Sequence, residues 1–165
     1  MILGLDIGNV IIGGRGEDTS FIGKSVTPEE LLKTPEVRGA FAAIQKLVPL
    51  FEAVHLVSKA YPNTQRKTRE WLKGKDFFTR TGVKEENMHF CLERPEKRLI
   101  CEQQRIDIFV DDRWDILDSL RGTVTYRILF GPQSPKKQDM DGMQFVLNWT
   151  ECTEAIEWIL ERSSS

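Results

Sequence analysis

Three aspartates stand directly after short apolar runs, where their carboxylates could share one cation. Asp6 follows Ile2–Leu5, and the adjacent Asp111 and Asp112 follow Ile106–Val110. Two consecutive aspartates at the end of a buried strand repel each other unless a positive group lies between them. Mg²⁺ prefers hard oxygen ligands, takes few protein carboxylates and accepts phosphate oxygens from a substrate. The pattern therefore indicates a Mg²⁺ site that can also hold a phosphate group.

The elements that must position these residues alternate between strands and helices. Short apolar runs bounded by polar or turn residues predict five buried strands, at Ile2–Leu5, Ala53–Val57, Met88–Cys91, Ile106–Val110 and Thr125–Phe130. Helical spacing predicts helices at Pro35–Phe51, Thr64–Leu72, Pro95–Gln104, Trp114–Leu120 and Thr150–Leu160. The alternation predicts an α/β fold, a three-layer α/β/α sandwich around a mainly parallel, five-stranded, Rossmann-like sheet. In such a sheet, ligands bind outside the carboxyl ends of the strands.

Composition and charge narrow the class of protein. The chain has 165 residues, of which 40% are hydrophobic and 29% charged, as expected for one soluble domain. Its formal net charge of −2 predicts no general attraction to nucleic acid or to an anionic membrane. No apolar run approaches the ~20 residues of a membrane span. Three cysteines without a CxxC pair, and no secretory leader pattern, predict reduced thiols in a cytoplasmic protein.

Four motifs, in order, resemble those of the haloacid dehalogenase-like superfamily. The first is LGLDIGNVI with Asp6, the second is VHLVSK with Ser58, and the third is Lys97 in ERPEK. The fourth is IFVDD with Asp111 and Asp112, so the motifs together span about two thirds of the chain. The resemblance implies hydrolysis of a phosphate monoester, with Mg²⁺, through a covalent aspartyl-phosphate.

The resemblance also implies a role for each motif residue. Asp6 would attack phosphorus with one oxygen and bind Mg²⁺ with the other. Lys97 would neutralise the nucleophile and a phosphate oxygen, and Ser58 would hydrogen-bond the transferring phosphoryl group. The predicted catalytic residues are Asp6, Ser58 and Lys97. The predicted metal ligands are Asp6, the Gly8 carbonyl, Asp111 and Asp112, where one of the two adjacent aspartates, Asp112 by preference, binds directly and the other through water. The predicted substrate-binding residues are Gly8, Asn9, Ser58, Lys59 and Arg113.

Residue 8 departs from the usual pattern of the family. Its phosphatases usually carry a second aspartate two residues after the nucleophile. This second aspartate protonates the leaving group and then activates water. Gly8 occupies that position here. An Asp-x-Gly-Asn-Val version does occur among them. The missing acid is typically worth ~100–10,000-fold in rate. Slow turnover, a substrate with a good leaving group, or a substitute acid such as Asp18 or Glu17 would each be compatible with its absence. The alternatives are a non-catalytic protein that keeps the phosphate and metal pocket, and a metal-independent 2-haloacid dehalogenase, which the paired Asp111 and Asp112 disfavour.

The spacing between the motifs leaves no room for a full cap domain. The first and second motif residues are separated by 51 residues, and Ser58 and Lys97 by 38, most of which the predicted strands and helices use. We predict one domain over residues 1–162, with a short flap at 13–32 and a disordered tail at 163–165. An open site would admit a small or large phosphorylated substrate, or would be closed by a second subunit in a homo-oligomer. Nothing in the sequence names the substrate.

Overall fold

Six parallel strands form one sheet in the computed structural model, which describes residues 1–13, 27–131 and 142–164. The strands are β1 Ile2–Leu5, β2 Ala53–Lys59, β3 Met88–Cys91, β4 Ile108–Asp111, β5 Tyr126–Phe130 and β6 Met143–Val146. Their order across the sheet is β3-β2-β1-β4-β5-β6, and all neighbouring pairs are parallel. The winding reverses between β1 and β4, which is where doubly wound sheets bind their ligands.

Helices cover both faces of the sheet. They are α1 Pro28–Lys33, α2 Ala40–Leu47, α3 Pro62–Gly74, α4 Phe77–Thr81, α5 Glu96–Gln103, α6 Trp114–Ser119 and α7 Trp149–Ser163, with 3₁₀ turns at Val48–Leu50 and Glu85–Asn87. One large apolar cluster packs helices α1, α2, α3, α4 and α7 against one face of the sheet. A smaller cluster packs α5 and α6 against the other face. The chain therefore has the predicted three-layer α/β/α architecture.

The predicted strand count is wrong, because β6 adds a sixth strand at the edge of the sheet. Met143–Val146 pairs with β5 on one side, and only Val146 is fully buried. An edge strand that stays partly exposed lacks the continuous apolar run by which the buried strands were predicted. The predicted helix Pro35–Phe51 is also shorter, since α2 begins after Gly39, whose φ of 81° is left-handed.

The predicted flap and tail lie partly outside the described residues. Of the flap at 13–32, residues 14–26 are not described, and its last part forms α1. Thr27 caps α1 by accepting a hydrogen bond from the Glu30 N–H, so this part is regular helix. Helix α7 extends to Ser163, the first residue of the predicted tail. The domain boundaries otherwise stay a prediction.

The described residues contain no membrane-crossing helix and no disulfide. No helix within 1–13, 27–131 and 142–164 has both the length and the apolar character needed to cross a bilayer. Cys91, Cys101 and Cys152 are all free and buried, as predicted for reduced structural thiols. The cytoplasmic location stays a prediction.

Candidate functional site

Three carboxylates meet at the carboxyl edge of the sheet because β1 and β4 are neighbours. Leu5 pairs with Val110, so Asp6 and Asp111 leave the two strands at the same level. The Asp6 N–H still donates to the Val110 carbonyl over 2.9 Å, which holds Asp6 against the end of β4. One oxygen each of Asp6, Asp111 and Asp112 lie within 4.8 Å of one another, and all three residues are buried.

Lys97 bridges two of these carboxylates. It lies in the first turn of α5, and its Nζ donates to Asp6 Oδ1 over 2.9 Å and to Asp111 Oδ2 over 2.8 Å. Only 3% of the Lys97 side chain is exposed, so its ammonium is almost completely removed from water. The predicted third motif residue is thus in contact with residues of the first and fourth motifs.

The electrostatics of this cluster favour a bound cation. Burial alone would lower the pKa of Lys97, but Asp111 and Asp6 raise it above its usual value. Burial, followed by the Asp111 charge, raises the pKa of Asp6 well above its ordinary range although Lys97 lowers it. When ionised, the three carboxylates exceed the single ammonium by two negative charges. A divalent cation would balance that excess, and three carboxylates are hard oxygen ligands that suit Mg²⁺.

The loop after β1 is a tight turn built on Ile7. The Ile7 carbonyl accepts hydrogen bonds from the N–H groups of Ile11 at 2.9 Å and Ile12 at 3.0 Å. Within this turn Asn9 has a left-handed φ of 61°, and its Nδ2 donates to Asp112 Oδ2 over 3.0 Å. The loop therefore places Gly8 beside the carboxylates and connects Asn9 directly to the end of β4.

Trp149 also anchors this loop and was not predicted as part of the site. Its indole Nε1 donates to the Val10 carbonyl over 2.7 Å, and its ring is buried against Phe130 at 5.4 Å between centroids. The residue comes 139 positions after Val10. No local pattern in the sequence indicates this contact, because it depends on how α7 packs back onto the sheet.

A small pocket opens at Asp6, and Asp111 and Asp112 are not among its described lining residues. Its lining residues are Asp6, Gly8, Ser58, Lys59, Arg94, Lys97, Arg113 and Ile116. The pocket thus gathers all the predicted catalytic residues and all the predicted substrate-binding residues except Asn9. Arg94, which lies three positions before Lys97 in the same charged segment and is a possible substitute for it, also lines the pocket. Ile116 was not predicted as a site residue.

Two basic residues of the pocket have partners of their own. The Arg113 guanidinium makes two hydrogen bonds of 3.1 Å to Asp115, and its backbone N–H donates to Asp111 Oδ1 over 3.0 Å. The Lys59 ammonium lies 4.4 Å from the ring centre of Tyr61, an exposed residue. Arg113 therefore orients a carboxylate through its backbone while its side chain stays at the pocket wall.

Residue 8 contributes no acid to the pocket. Among the described residues that line it, Asp6 has the only carboxyl group. The predicted substitutes, Glu17 and Asp18, lie outside the described residues. Within the described chain, the lining of the site has the Asp6 carboxyl group and basic side chains, and it offers no second carboxyl that could protonate a leaving group.

The fold is shared with solved structures of known hydrolases, although the sequences are distant. A D,D-heptose 1,7-bisphosphate phosphatase from B. bronchiseptica, complexed with magnesium and phosphate, has a TM-score of 0.67 at 14% identity, covering 95% of this chain and 98% of its own. A haloacid dehalogenase-like family hydrolase from Xanthomonas campestris has a TM-score of 0.65 at 8% identity, covering 99% and 97%.

A third similar structure is also a phosphatase. The cobalt-bound deoxy-D-mannose-octulosonate 8-phosphate phosphatase from Haemophilus influenzae has a TM-score of 0.58 at 13% identity, covering 99% of this chain and 90% of its own. No protein-family model matches the sequence, and no curated protein matches it significantly. The chain therefore has the haloacid dehalogenase-like fold, as the motifs predicted.

Proposed function

We propose that the protein is a magnesium-dependent phosphatase that hydrolyses a phosphate monoester through an aspartyl-phosphate on Asp6. The observation that carries the proposal is the buried bridge in which Lys97 contacts Asp6 and Asp111, with Asp112 alongside. Such a cluster is costly for a purely structural role, because it concentrates buried like charges. It lies at the switch point of the sheet, where ligands of such folds bind.

The chain offers oxygen ligands for the metal at the carboxyl edge of the sheet. Asp6, Asp111 and Asp112 would hold Mg²⁺, and the Gly8 carbonyl would be a further ligand. Bound Mg²⁺ would offset the negative charge of the phosphoryl group. Two of the similar structures support this assignment, since one was solved with magnesium and phosphate and the other with cobalt.

The other pocket residues act on the substrate. Lys97 holds the Asp6 carboxylate in one orientation, and the Ser58 hydroxyl donates to a phosphoryl oxygen. An Asp6 oxygen then forms a bond to phosphorus while the phosphorus–ester oxygen bond breaks, and the leaving oxygen departs as an anion that takes a proton from solvent. A water oxygen then bonds to phosphorus as the Asp6 oxygen–phosphorus bond breaks, which releases phosphate and regenerates Asp6. Lys59, Arg94 and Arg113 line the pocket and would attract the phosphate dianion. The substrate is thus a phosphorylated compound, for which we propose a small molecule.

The test is turnover of p-nitrophenyl phosphate. We expect hydrolysis with Mg²⁺, loss of hydrolysis in EDTA, and loss in Asp6→Asn at unchanged melting temperature. The matched control is Asp118→Asn, since Asp118 is a partly exposed aspartate that pairs with Arg121 and is not among the described residues that line the pocket. Loss of turnover in both variants, or in neither, would refute the role of Asp6.

The leaving group gives a second test. Because Gly8 supplies no acid, the rate should fall steeply across a series of aryl phosphates as the pKa of the released phenol rises. A shallow dependence would mean that an acid outside the described residues protonates the leaving group. Glu17→Gln and Asp18→Asn would then identify it, since the true acid, once removed, makes the dependence steep.

A non-catalytic phosphate- and metal-binding protein is the second candidate. Gly8 favours it, because among the described lining residues no second carboxyl is present. Mg²⁺ binding in calorimetry without turnover of any compound in a broad phosphate panel would support this candidate. Release of halide from 2-haloacids without metal would instead support the dehalogenase.

A further inference from the structure

The Asn9 side chain links the loop after β1 to the end of β4. Its Nδ2 donates to Asp112 Oδ2 over 3.0 Å, and the two residues are 103 positions apart in the chain. The orientation of the amide is determined by chemistry, because an ionised carboxylate only accepts hydrogen bonds and only the amide nitrogen donates. Asn9 is not among the described residues that line the pocket.

The backbone at position 9 does not itself require an asparagine. Its φ of 61° is left-handed, and its N–H donates to the Ile12 carbonyl over 2.9 Å. Glycine adopts this conformation with less strain than asparagine, and asparagine tolerates it better than most other residues. The amide group, rather than the shape of the turn, is therefore what distinguishes Asn9 from glycine here.

Each carboxylate of the cluster accepts at least one hydrogen bond. Lys97 Nζ donates to Asp6 and to Asp111, and the Arg113 N–H donates to the other oxygen of Asp111. The Asn9 amide donates to Asp112, and it does so without adding a positive charge. A neutral donor fixes the plane of a buried carboxylate and leaves its charge available to a cation.

We propose that Asn9 is a positioning residue that orients Asp112 for metal binding, and that it does not bind substrate as the sequence predicted. This inference rests on the metal site of the proposed function. Groups that orient metal ligands typically change metal affinity by about 10–100-fold when removed. We expect Asn9→Gly to weaken Mg²⁺ binding by about tenfold or more. The Michaelis constant for substrate at saturating Mg²⁺ should change less than about twofold.

The experiment measures Mg²⁺ affinity without substrate, by calorimetry and by the rise in melting temperature with Mg²⁺ concentration. Asp76→Gly is the matched control, since Asp76 also has a left-handed φ, of 55°, and its side chain does not cap α4. It should bind Mg²⁺ like the wild type. Asn9→Ala removes the same amide while keeping a Cβ, and it should show the same weakening.

Three results would overturn the inference. The first is Mg²⁺ affinity within about twofold of wild type in both Asn9 variants. The second is a raised Michaelis constant at saturating Mg²⁺ with metal affinity unchanged, which would make Asn9 a substrate-binding residue. The third is a wild type that binds no Mg²⁺, which would also overturn the proposed function. A wild type that binds Mg²⁺ tightly, loses affinity on Asn9→Gly and hydrolyses nothing would support the inference and refute the phosphatase.

Discussion

Replacing Lys97 by methionine tests the electrostatic balance of the site directly. Methionine keeps a long flexible side chain but removes the ammonium that contacts Asp6 and Asp111 at 2.9 and 2.8 Å. Because Lys97 is only 3% exposed, water cannot replace the lost ammonium without opening the site. The metal-free variant would therefore hold three neighbouring carboxylates without a buried positive charge.

The size of the effect follows from the burial of the pair. Removing one partner of a buried ion pair typically costs about 3–5 kcal/mol, because the other charge stays buried and uncompensated. In a domain of this length, 1 kcal/mol corresponds to a change in melting temperature of about 2–4 °C. We therefore expect Lys97→Met to lower the metal-free melting temperature by about 6–20 °C.

The loss should depend on pH. Burial raises the pKa of Asp6 and Lys97 lowers it, so removing Lys97 raises this pKa further. A carboxyl whose pKa is higher in the folded than in the unfolded state binds more protons when folded, so its contribution to stability falls as pH rises. The stability deficit of Lys97→Met should therefore be smaller at pH 5 than at pH 8.

The assay is thermal and chemical denaturation in EDTA at both pH values, followed by the same measurement with Mg²⁺. Lys73→Met is the control, because Lys73 forms an exposed ion pair with Glu85, and such pairs are worth about 0–1 kcal/mol. Added Mg²⁺ should recover part of the stability lost in Lys97→Met. Our electrostatic description is wrong if Lys97→Met is as stable as the control, or if its deficit is the same at both pH values.

Three further predictions concern the stability of the fold, all measured by chemical denaturation. Gly4→Ala would place a Cβ 2.5 Å from a ring carbon of buried Phe109, so it should destabilise by about 1–3 kcal/mol, and a neutral result would mean that the ring moves. Asn148→Ala removes the cap of α7 and should cost about 1 kcal/mol, whereas no change would show that the cap is dispensable. Burial lowers the pKa of both His55 and His89, and His55 Nδ1 lies 2.9 Å from His89 Nε2. The folded state thus binds fewer protons than the unfolded state, so the free energy of unfolding should fall as pH drops below about 6.5. A variant in which both histidines are replaced by phenylalanine should lose this pH dependence.

The layers of the fold were predictable because the buried strands have a simple sequence pattern. β1 is an almost entirely buried apolar strand, and so is β4 up to Val110, and each apolar run is followed by an aspartate. In β5 the buried apolar run is Ile128–Phe130, after Arg127. β6 was missed because its residues are mostly half-exposed, and a short edge strand has no comparable run. Helix ends depend on single capping contacts. Asn148 caps α7, so this helix begins at Trp149 and not at the predicted Thr150.

The site residues at the strand ends were predictable for a different reason. In a parallel sheet the residues that follow each strand meet at one edge, so the positions of Asp6, Ser58 and Asp111 along the chain already imply their proximity. The contact of Trp149 with the loop after β1 could not be predicted, since it depends on how distant helices pack. The same holds for the hydrogen bond from Asn9 to Asp112, which needs both the left-handed turn and the β1–β4 pairing.

The carboxylates that could bind a cation also destabilise the folded state when no cation is bound. Burial disfavours the charged form of Asp6, and the neighbouring Asp111 disfavours it further. Lys97 compensates only part of this charge, because it is one ammonium among three carboxylates. A ligand that binds only the folded state stabilises it by mass action, in proportion to the logarithm of its concentration above Kd. Because of the excess negative charge, the stability of this edge of the sheet should increase when the metal binds. Bound Mg²⁺ would also reduce the repulsion between the carboxylates and a phosphate dianion that enters the pocket.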